Sequence, residues 1–411
     1  MRLNTLLLQL LGLEYLRIID ATFGETGLVV DVAPTWRAAR CSSCGFNGPC
    51  YDRDKGRRWR HLDACGMTVH LRYDTRRVDC VRCGVTVEHV PWANPSAWFT
   101  RPFEDQVGYL AQRCDRTTVS KQMRVNWSTV DAIITRVVRR HTHVDPLANL
   151  TLIGIDELSY RKHHEYITTV VDHVTGKIVW AHRGKSADTL KLFFAELGAK
   201  RVAKIKAVTI DMSAAYVKAV TEAAPNAEII YDRFHVQRLV HDALDEVRRA
   251  EVHEAPTAED REALKGTRYP TQKRPWNMTD VETKKLTTLP FTNFRLYIAY
   301  LMKESLAALL DSRQVHVVRA KLVEWIAWAG ASQLAPFVRA AKTIASHIEG
   351  ILAYVRSRLT NARTEGLNGK IRTITRRSYG LHSASSLITL LKLCCSHIEL
   401  EPVTLRPGST H

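Results

Sequence analysis

Two cysteine pairs of identical form constrain the fold of this chain more than any other feature. Cys41-Ser42-Ser43-Cys44 and Cys80-Val81-Arg82-Cys83 are each C-x2-C, and each runs at once into a glycine, Gly45 or Gly84. Two thiolates three positions apart can grip one ion, and a glycine lets the backbone turn beneath it. Cys41, Cys44, Cys80 and Cys83 therefore supply the four soft ligands of a structural Zn2+ site. The 35 residues between Cys44 and Cys80 exceed the usual spacing, and Cys50, His61, Cys65 and His89 stand by as alternative ligands. The opening Leu6-Leu7-Leu8-Gln9-Leu10-Leu11 is short and breaks at Gly12, so we expect no secretory leader. Nine cysteines in a reducing compartment then argue for metal and against a disulfide framework.

Between the knuckles, Thr68-Val69-His70-Leu71-Arg72-Tyr73 alternates apolar and polar residues and reads as strand. The expectation for residues 1–100 is a small, β-rich, basic head stapled by zinc. The spacing changes to helical from Phe103, with Val107, Leu110 and Ala111 on one stripe. A second short helix can start at Thr117. A third starts near Trp127, with Ser128 as its cap and Val130, Ile133, Ile134, Val137 and Val138 facing inward. Helix, tight turn and longer helix over 101–146 fit a helix-turn-helix. Arg136, Arg139 and Arg140 are then the candidate DNA contacts on the third helix. The same pattern also serves as a plain packing unit.

Charge supports the DNA reading. The 411 residues carry a formal +17, and the last 61 alone contribute +6. Such an excess favours a polyanionic partner, nucleic acid before membrane surface. No apolar run approaches the ~20 residues that cross a bilayer. A charged fraction of 25% with 45% hydrophobic residues excludes a wholly disordered chain.

After Val144-Asp145-Pro146-Leu147 the chain reads strand, strand, strand, helix, strand, helix, strand up to Tyr231. That order is ribonuclease-H-like. Asp156 ends a largely apolar run from Leu150, Asp211 follows the strand Ala203–Ile210, and Asp232 follows Glu228–Tyr231. Carboxylates at the ends of adjacent strands are what a two-metal phosphoryl-transfer site needs, because Mg2+ takes hard oxygen ligands. Taken singly, each aspartate also reads as a turn or capping residue. Residues 236–355 are mostly helical by period, with Val318, Trp325 and Trp328 on apolar faces. Residues 356–377 carry Arg356, Arg358, Arg363, Lys370, Arg372, Arg376 and Arg377 around a single acid, Glu365. Seven cations about one carboxylate suit a metal ligand facing a DNA backbone.

Four segments then carry a family resemblance. They are Gly154-Ile155-Asp156-Glu157, Val208-Thr209-Ile210-Asp211-Met212-Ser213, Tyr231-Asp232-Arg233-Phe234-His235, and Thr364-Glu365-Gly366-Leu367-Asn368-Gly369-Lys370-Ile371-Arg372. The chain resembles insertion-sequence transposases with a DDE triad, of the ISL-three type, over nearly its whole length. The resemblance implies Asp156, Asp211 and Glu365 as catalytic ligands of two Mg2+ ions, with Asp232 and His235 as a supporting D-x2-H pair. It implies a helical insertion at 236–355 between core segments 147–235 and 356–411. Expected DNA contacts are Arg136, Arg139, Arg140, Arg363, Lys370, Arg372, Arg376 and Arg377. The implied function is cleavage at terminal inverted repeats and strand transfer into target DNA, by a dimer or larger assembly in the bacterial cytoplasm at the nucleoid. A ribonuclease-H-like nuclease or resolvase, or a non-catalytic DNA-binding regulator, are the alternatives.

Overall fold

The computed structural model describes residues 3–25, 27–142, 145–161, 165–359, 362–378 and 383–402. The chain forms two compact units, 1–144 with 376–411, and 145–375.

The first unit opens with helix α1 (Leu3–Leu11) and strands β1 (Leu16–Gly24) and β2 (Gly27–Pro34), which the sequence pattern had not marked. Short strands β3 (Ala39–Arg40) and β4 (Asn47–Gly48) carry the first knuckle. Long strands β5 (Cys50–Ala64) and β6 (Met67–Cys80) form a hairpin, and β7 (Gly84–Val87) folds back onto β6 behind the second knuckle. The sheet runs β1-β2-β6-β5, with β2 and β6 parallel. Val69 and Leu71 on β6, and Val30 and Val32 on β2, join Trp59 and Trp92 in the core; β6 alternates with half-buried Thr68, His70 and Arg72, whereas β2 buries Val29 and Ala33 as well. Three helices follow: α2 (Arg101–Ala111), α3 (Arg116–Met123) and α4 (Trp127–His141). Thr100 caps α2 and Asp115 caps α3, each accepting a backbone N–H three residues on. The turn into α4 passes through Arg124 in the left-handed region and Asn126 as N-cap. Ser128 is the second residue inside α4 and not its cap.

The second unit is built on a five-stranded sheet. Strands β8 (Leu152–Arg161), β9 (Glu165–Asp172) and β10 (Lys177–Arg183) make an antiparallel meander. Helix α5 (Ala187–Leu197), capped by Ser186, and the single turn α6 (Ala199–Val202) lead to β11 (Ala207–Ile210). Helix α7 (Ala214–Ala223) leads to β12 (Glu228–Tyr231). The spatial order is β10-β9-β8-β11-β12, with β11 parallel to both β8 and β12. One face carries Ile153, Ile155, Val208, Ile210 and Tyr231, packed with α5 and α7 residues such as Phe193 and Val220. The other buries Ala207 and Ile230 against Val318, Leu352 and Tyr354.

The sheet gives way to helices: α8 (Arg233–Glu254), α9 (Ala258–Leu264), α10 (Arg268–Gln272), α11 (Asp280–Thr292), α12 (Phe294–Asp311), α13 (Val315–Ala331), α14 (Ala335–Ser346) and α15 (Ile348–Ser357). Trp325 is buried and donates its Nε1–H to the Met302 carbonyl at 2.9 Å, whereas Trp328 is 39% exposed and not a core residue. Gly350 lets α15 lie against β12, since a Cβ there would meet the Tyr231 ring at 2.4 Å. Helix α16 (Ala362–Arg377) follows. The last helix, α17 (Ala384–Cys395), returns to the first unit. Ser386 bonds Asp131 of α4 at 3.1 Å, and Gln112 donates to the carbonyls of Leu393 and Ile398 at 2.8 and 3.0 Å. Among the described residues, 376–378 and 383–402 thus belong to the compact unit of the first helices.

Candidate zinc centre, DNA-binding helices and carboxylate site

The four knuckle cysteines meet. Their sulfur atoms all lie within 4.8 Å of one another, and Cys44 and Cys80 Sγ are 3.5 Å apart. Zn–S bonds of ~2.3 Å place tetrahedral sulfurs just under ~4 Å apart, so this donor set fits Zn2+. Gly45 and Gly84 have φ of 73° and 74°, which a Cβ resists. Burial raises the Cys41 thiol, but backbone N–H groups of Cys44 and Ser43 outweigh it and bring its pKa to about 7, whereas side-chain hydrogen bonding with Cys44, then burial, pushes Cys83 up to about 12. The alternative ligands are placed elsewhere. His61 is buried between Thr100 Oγ1 (2.8 Å) and the Leu11 carbonyl (3.1 Å), and burial drops its pKa to about 4. His89 stacks on Trp36, Cys50 donates to the Asp52 carbonyl, and Cys65 sits exposed in the β5–β6 turn.

Helix α4 sorts its arginines by partner. Arg136 and Arg140 turn inward to α2. Glu104, 0% exposed, accepts Arg136 Nε at 2.6 Å, Arg140 Nη1 at 3.0 Å and Asn94 Nδ2 at 2.8 Å, and Arg140 also pairs with Asp105. These two arginines, expected on DNA, are held in an internal ion cluster. The opposite stripe of α4 carries Ser128, Ala132, Thr135 and Arg139, all exposed. Their spacing puts them on one side of the helix. That stripe is what a groove can reach, and Arg139 is its cation.

The aspartates come from strand register. Thr209 of β11 is level with Gly154 of β8, and Ile210 is level with Tyr231 of β12. Asp156 lies midway along β8, two residues on from Gly154, and not at a strand end as the sequence suggests; Asp211 and Asp232 are the first residues past β11 and β12, so the same register carried on sets the three level. Neighbouring strands are ~4.8 Å apart, so level carboxylates on one face can share cations. Period two puts all three on the face of Gly154 and Thr209. Beneath them His173 is buried, its Nε2 2.7 Å from Thr209 Oγ1. Gly154 makes room for this pair, since a Cβ would come within 2.8 Å of His173 Nε2. Asp211 Oδ1 accepts the Ser213 N–H at 3.0 Å and Asp156 Oδ1 accepts the Glu157 N–H at 2.7 Å, which orients both carboxylates. Asp232 is buried ahead of α8, and His235 lies one turn on, edge-on to Phe234.

Glu157 goes the other way, onto the face of Ile155. Burial first, then the charges of Asp211 and Asp156, push its pKa up, opposed by the Tyr216 hydroxyl and Lys185. Burial likewise raises Tyr216, which also bonds Thr168 Oγ1 at 2.9 Å. The sequence offered no signal for this Glu157–Tyr216 pair, because its members are 59 positions apart.

Around Glu365 the backbone is helical, but its side chain and that of Arg363 lie outside the described residues. Lys370, Arg372 and Arg376 are exposed along α16. Arg377 is instead spent on the carbonyls of Ala111 and Gln112 at 3.0 and 2.9 Å. Arg358 donates to the Leu310 and Asp311 carbonyls at the end of α12, and Arg356 pairs with Glu228 at 3.5 Å.

Comparison with known families adds to this geometry. The profile of the ISL3 DDE transposase domain, described as "Transposase", matches residues 153–391, more than half of the chain. The chain belongs to the ISL3 family of transposases. A profile for the helix-turn-helix domain of the same family matches 88–138 of this transposase. A third, for the zinc-finger of transposases IS204/IS1001/IS1096/IS1165, matches 37–83. The transposase for insertion sequence element IS1557 of Mycobacterium tuberculosis is 39% identical over 378 residues, 86% of this chain and 85% of that protein. The transposase for IS1001 of Bordetella parapertussis is 27% identical over 358 residues, 86% of this chain and 88% of that one. This transposase is therefore a DNA-cleaving and strand-transferring enzyme with a DNA-binding helix-turn-helix, a four-cysteine zinc ribbon and a catalytic domain that implies a divalent metal. Among its described residues no helix is long and apolar enough to cross a membrane.

Proposed function

We propose that the sheet of the second unit is a ribonuclease-H-like core whose catalytic ligands are Asp156, Asp211 and Glu365, with Asp232 and His235 in support. The observation that carries this is the parallel pairing of Gly154 with Thr209, since Asp156 and Asp211 each follow two residues on. The meander-then-parallel order β10-β9-β8-β11-β12, followed by helices before Glu365, supports the fold assignment. The carboxylates present only oxygen donors, which fits Mg2+. Two such ions, when bound, activate the attacking oxygen and stabilise the leaving one. The protein's own part is positional. Ser213 N–H and the Asp156–Glu157 backbone fix the two carboxylates, and exposed Lys370 and Arg372 of α16 hold DNA phosphates beside them.

In this reading Asp156, Asp211 and Glu365 direct water onto the phosphodiester at a transposon end, and then direct the freed 3′-hydroxyl onto target DNA. The α4 stripe and the zinc head recognise the terminal inverted repeats. Helices α8–α15 form the insertion within the catalytic core, and two or more copies bring the ends together in the cytoplasm, on nucleoid DNA. The test is incubation of the full chain with labelled transposon-end DNA, a plasmid target and Mg2+, then mapping of cut and joined ends. Joined 3′ ends that vanish with EDTA support it. Cutting without joining would leave a nuclease or resolvase, and binding without cutting a regulator.

A further inference from the structure

The first unit holds a cavity beside the first knuckle whose lining includes no residue of α4. Where β3 runs into the first knuckle, the His89 N–H donates to the Arg40 carbonyl at 2.6 Å, and Cys41 bridges to Glu88. These bonds gather the cavity of about 520 Å³ lined by Glu14, Tyr15, Thr35, Trp36, Arg40, His89, Pro91 and Arg101. That volume suits one nucleotide-sized ligand.

Its walls pair π-faces with cations. The Arg40 guanidinium lies over the Trp36 ring at 4.4 Å, and His89 stacks on Trp36 at 5.9 Å with planes 15° apart. Tyr15 stands 6.3 Å from Trp36 and is 63% exposed, on a backbone with φ of 56°. Two donors are left over: Trp36 Nε1 and Arg101 Nε are buried and without a hydrogen-bond partner among the described residues. Arg40 and Arg101 both act on His89, whose pKa is lowered first by burial and then by these two charges. Like charges gathered on one opening favour an anion there. The opposing charges are Glu14, exposed at the rim, Glu88 acting on His89, and Asp105 and Glu104 acting on Arg101.

We propose that this cavity binds an unpaired nucleotide of DNA, its base packed against the Trp36 and Tyr15 rings, which are tilted 45° to each other, and its phosphate held by Arg40 and Arg101. Stacking on aromatic rings and on arginine planes is how proteins hold single strands without reading sequence, because every base has a π-face. DNA is favoured over an acidic peptide by place: Arg101 is the first residue of α2, the first helix of the helix-turn-helix. This rests on the transposase reading, in which strand breakage exposes unpaired ends. Because Arg40 adjoins Cys41, loss of zinc also dismantles the site.

The experiment uses the full, zinc-loaded chain and a ten-nucleotide oligodeoxythymidylate carrying one central 5-iododeoxyuridine. Long-wavelength irradiation followed by peptide mapping is expected to place the cross-link at Trp36 or Tyr15. In anisotropy titrations Trp36→Ala should weaken binding of the oligomer roughly five- to hundredfold, the range for one lost stacking contact. Trp36→Phe should recover most of it. Arg40→Gln should weaken binding and flatten the salt slope by about 0.7, as for one lost single-strand phosphate contact. Zinc content equal to wild type confirms that each variant is folded at the knuckles. Cross-links confined to other segments, or wild-type binding by Trp36→Ala, would overturn the proposal. So would Trp36→Phe binding as poorly as Trp36→Ala. None of these results depends on cleavage, so failure here leaves the metal-site assay standing, and failure there leaves this one.

Discussion

Single side chains in this transposase are told apart by what lies across from them. Glu104 takes two arginines and an asparagine while fully buried. Glu104→Gln should lower unfolding stability by roughly 3–5 kcal/mol, because it strands Arg136 without a counter-charge and leaves Arg140 with Asp105 alone. A urea titration of the full chain checks this. Arg139→Gln, on the exposed stripe, should change stability by less than about 0.5 kcal/mol and yet weaken binding to all DNA sequences with a shallower salt slope. A large loss of stability from Arg139→Gln would mean that its side chain packs inward. From the sequence alone the three arginines of α4 looked equivalent. Charge type is visible in a sequence, but the carboxylate that claims the charge sits on another helix. Gly154 makes a comparable case. Gly154→Ala forces a methyl against His173 and Thr209, directly beneath the aspartate row, and should lower cleavage at least tenfold with DNA affinity unchanged. Wild-type turnover from Gly154→Ala would detach the His173–Thr209 pair from the carboxylate site.

At the scale of elements, the knuckles were legible because chemistry fixes their spacing. Two thiolates and a turn-forming glycine leave few alternatives. The strand–helix order of the second unit was legible from the change of period between two and 3.6. Strands β1 and β2 were not, since β1 keeps only Leu16 buried and shows no clean alternation. Nor was the return of α17 to α4, a contact more than 250 positions apart in sequence. The zinc ribbon yields a direct prediction. Cys41→Ser or Cys80→Ser should cost the bound metal and unfold the head, because ligand binding there is also folding energy. Metal analysis with far-ultraviolet circular dichroism reads both, and a metal-free head with intact strand signal would contradict it. The α4 stripe yields another. Ser128→Ala with Thr135→Ala should change which end sequence is preferred and leave the salt slope alone, since neither side chain carries charge. A slope that shifts while preference holds would assign the two residues to phosphate contacts.

For the molecule as a whole, a formal +17 is spread over both units and supplies affinity without sequence. In the proposed reading, specificity falls to the α4 stripe and chemistry to the aspartate row. The proposed ligands through which this transposase cuts and joins DNA are Asp156, midway along β8, and Asp211, just past β11. The most direct measurement is product mapping on labelled end DNA with Mg2+ for Asp156→Asn, Asp211→Asn and Glu157→Gln side by side. Replacing carboxylate by amide keeps shape and removes the charge that holds a cation. The two aspartate variants should lose cleavage and joining by at least ~1000-fold, the scale of losing electrostatic stabilisation of the transition state, and still bind DNA. Glu157→Gln should retain measurable activity, because its carboxyl faces Tyr216. An inactive Glu157→Gln beside an active Asp156→Asn would contradict the account and move the first ligand by one position.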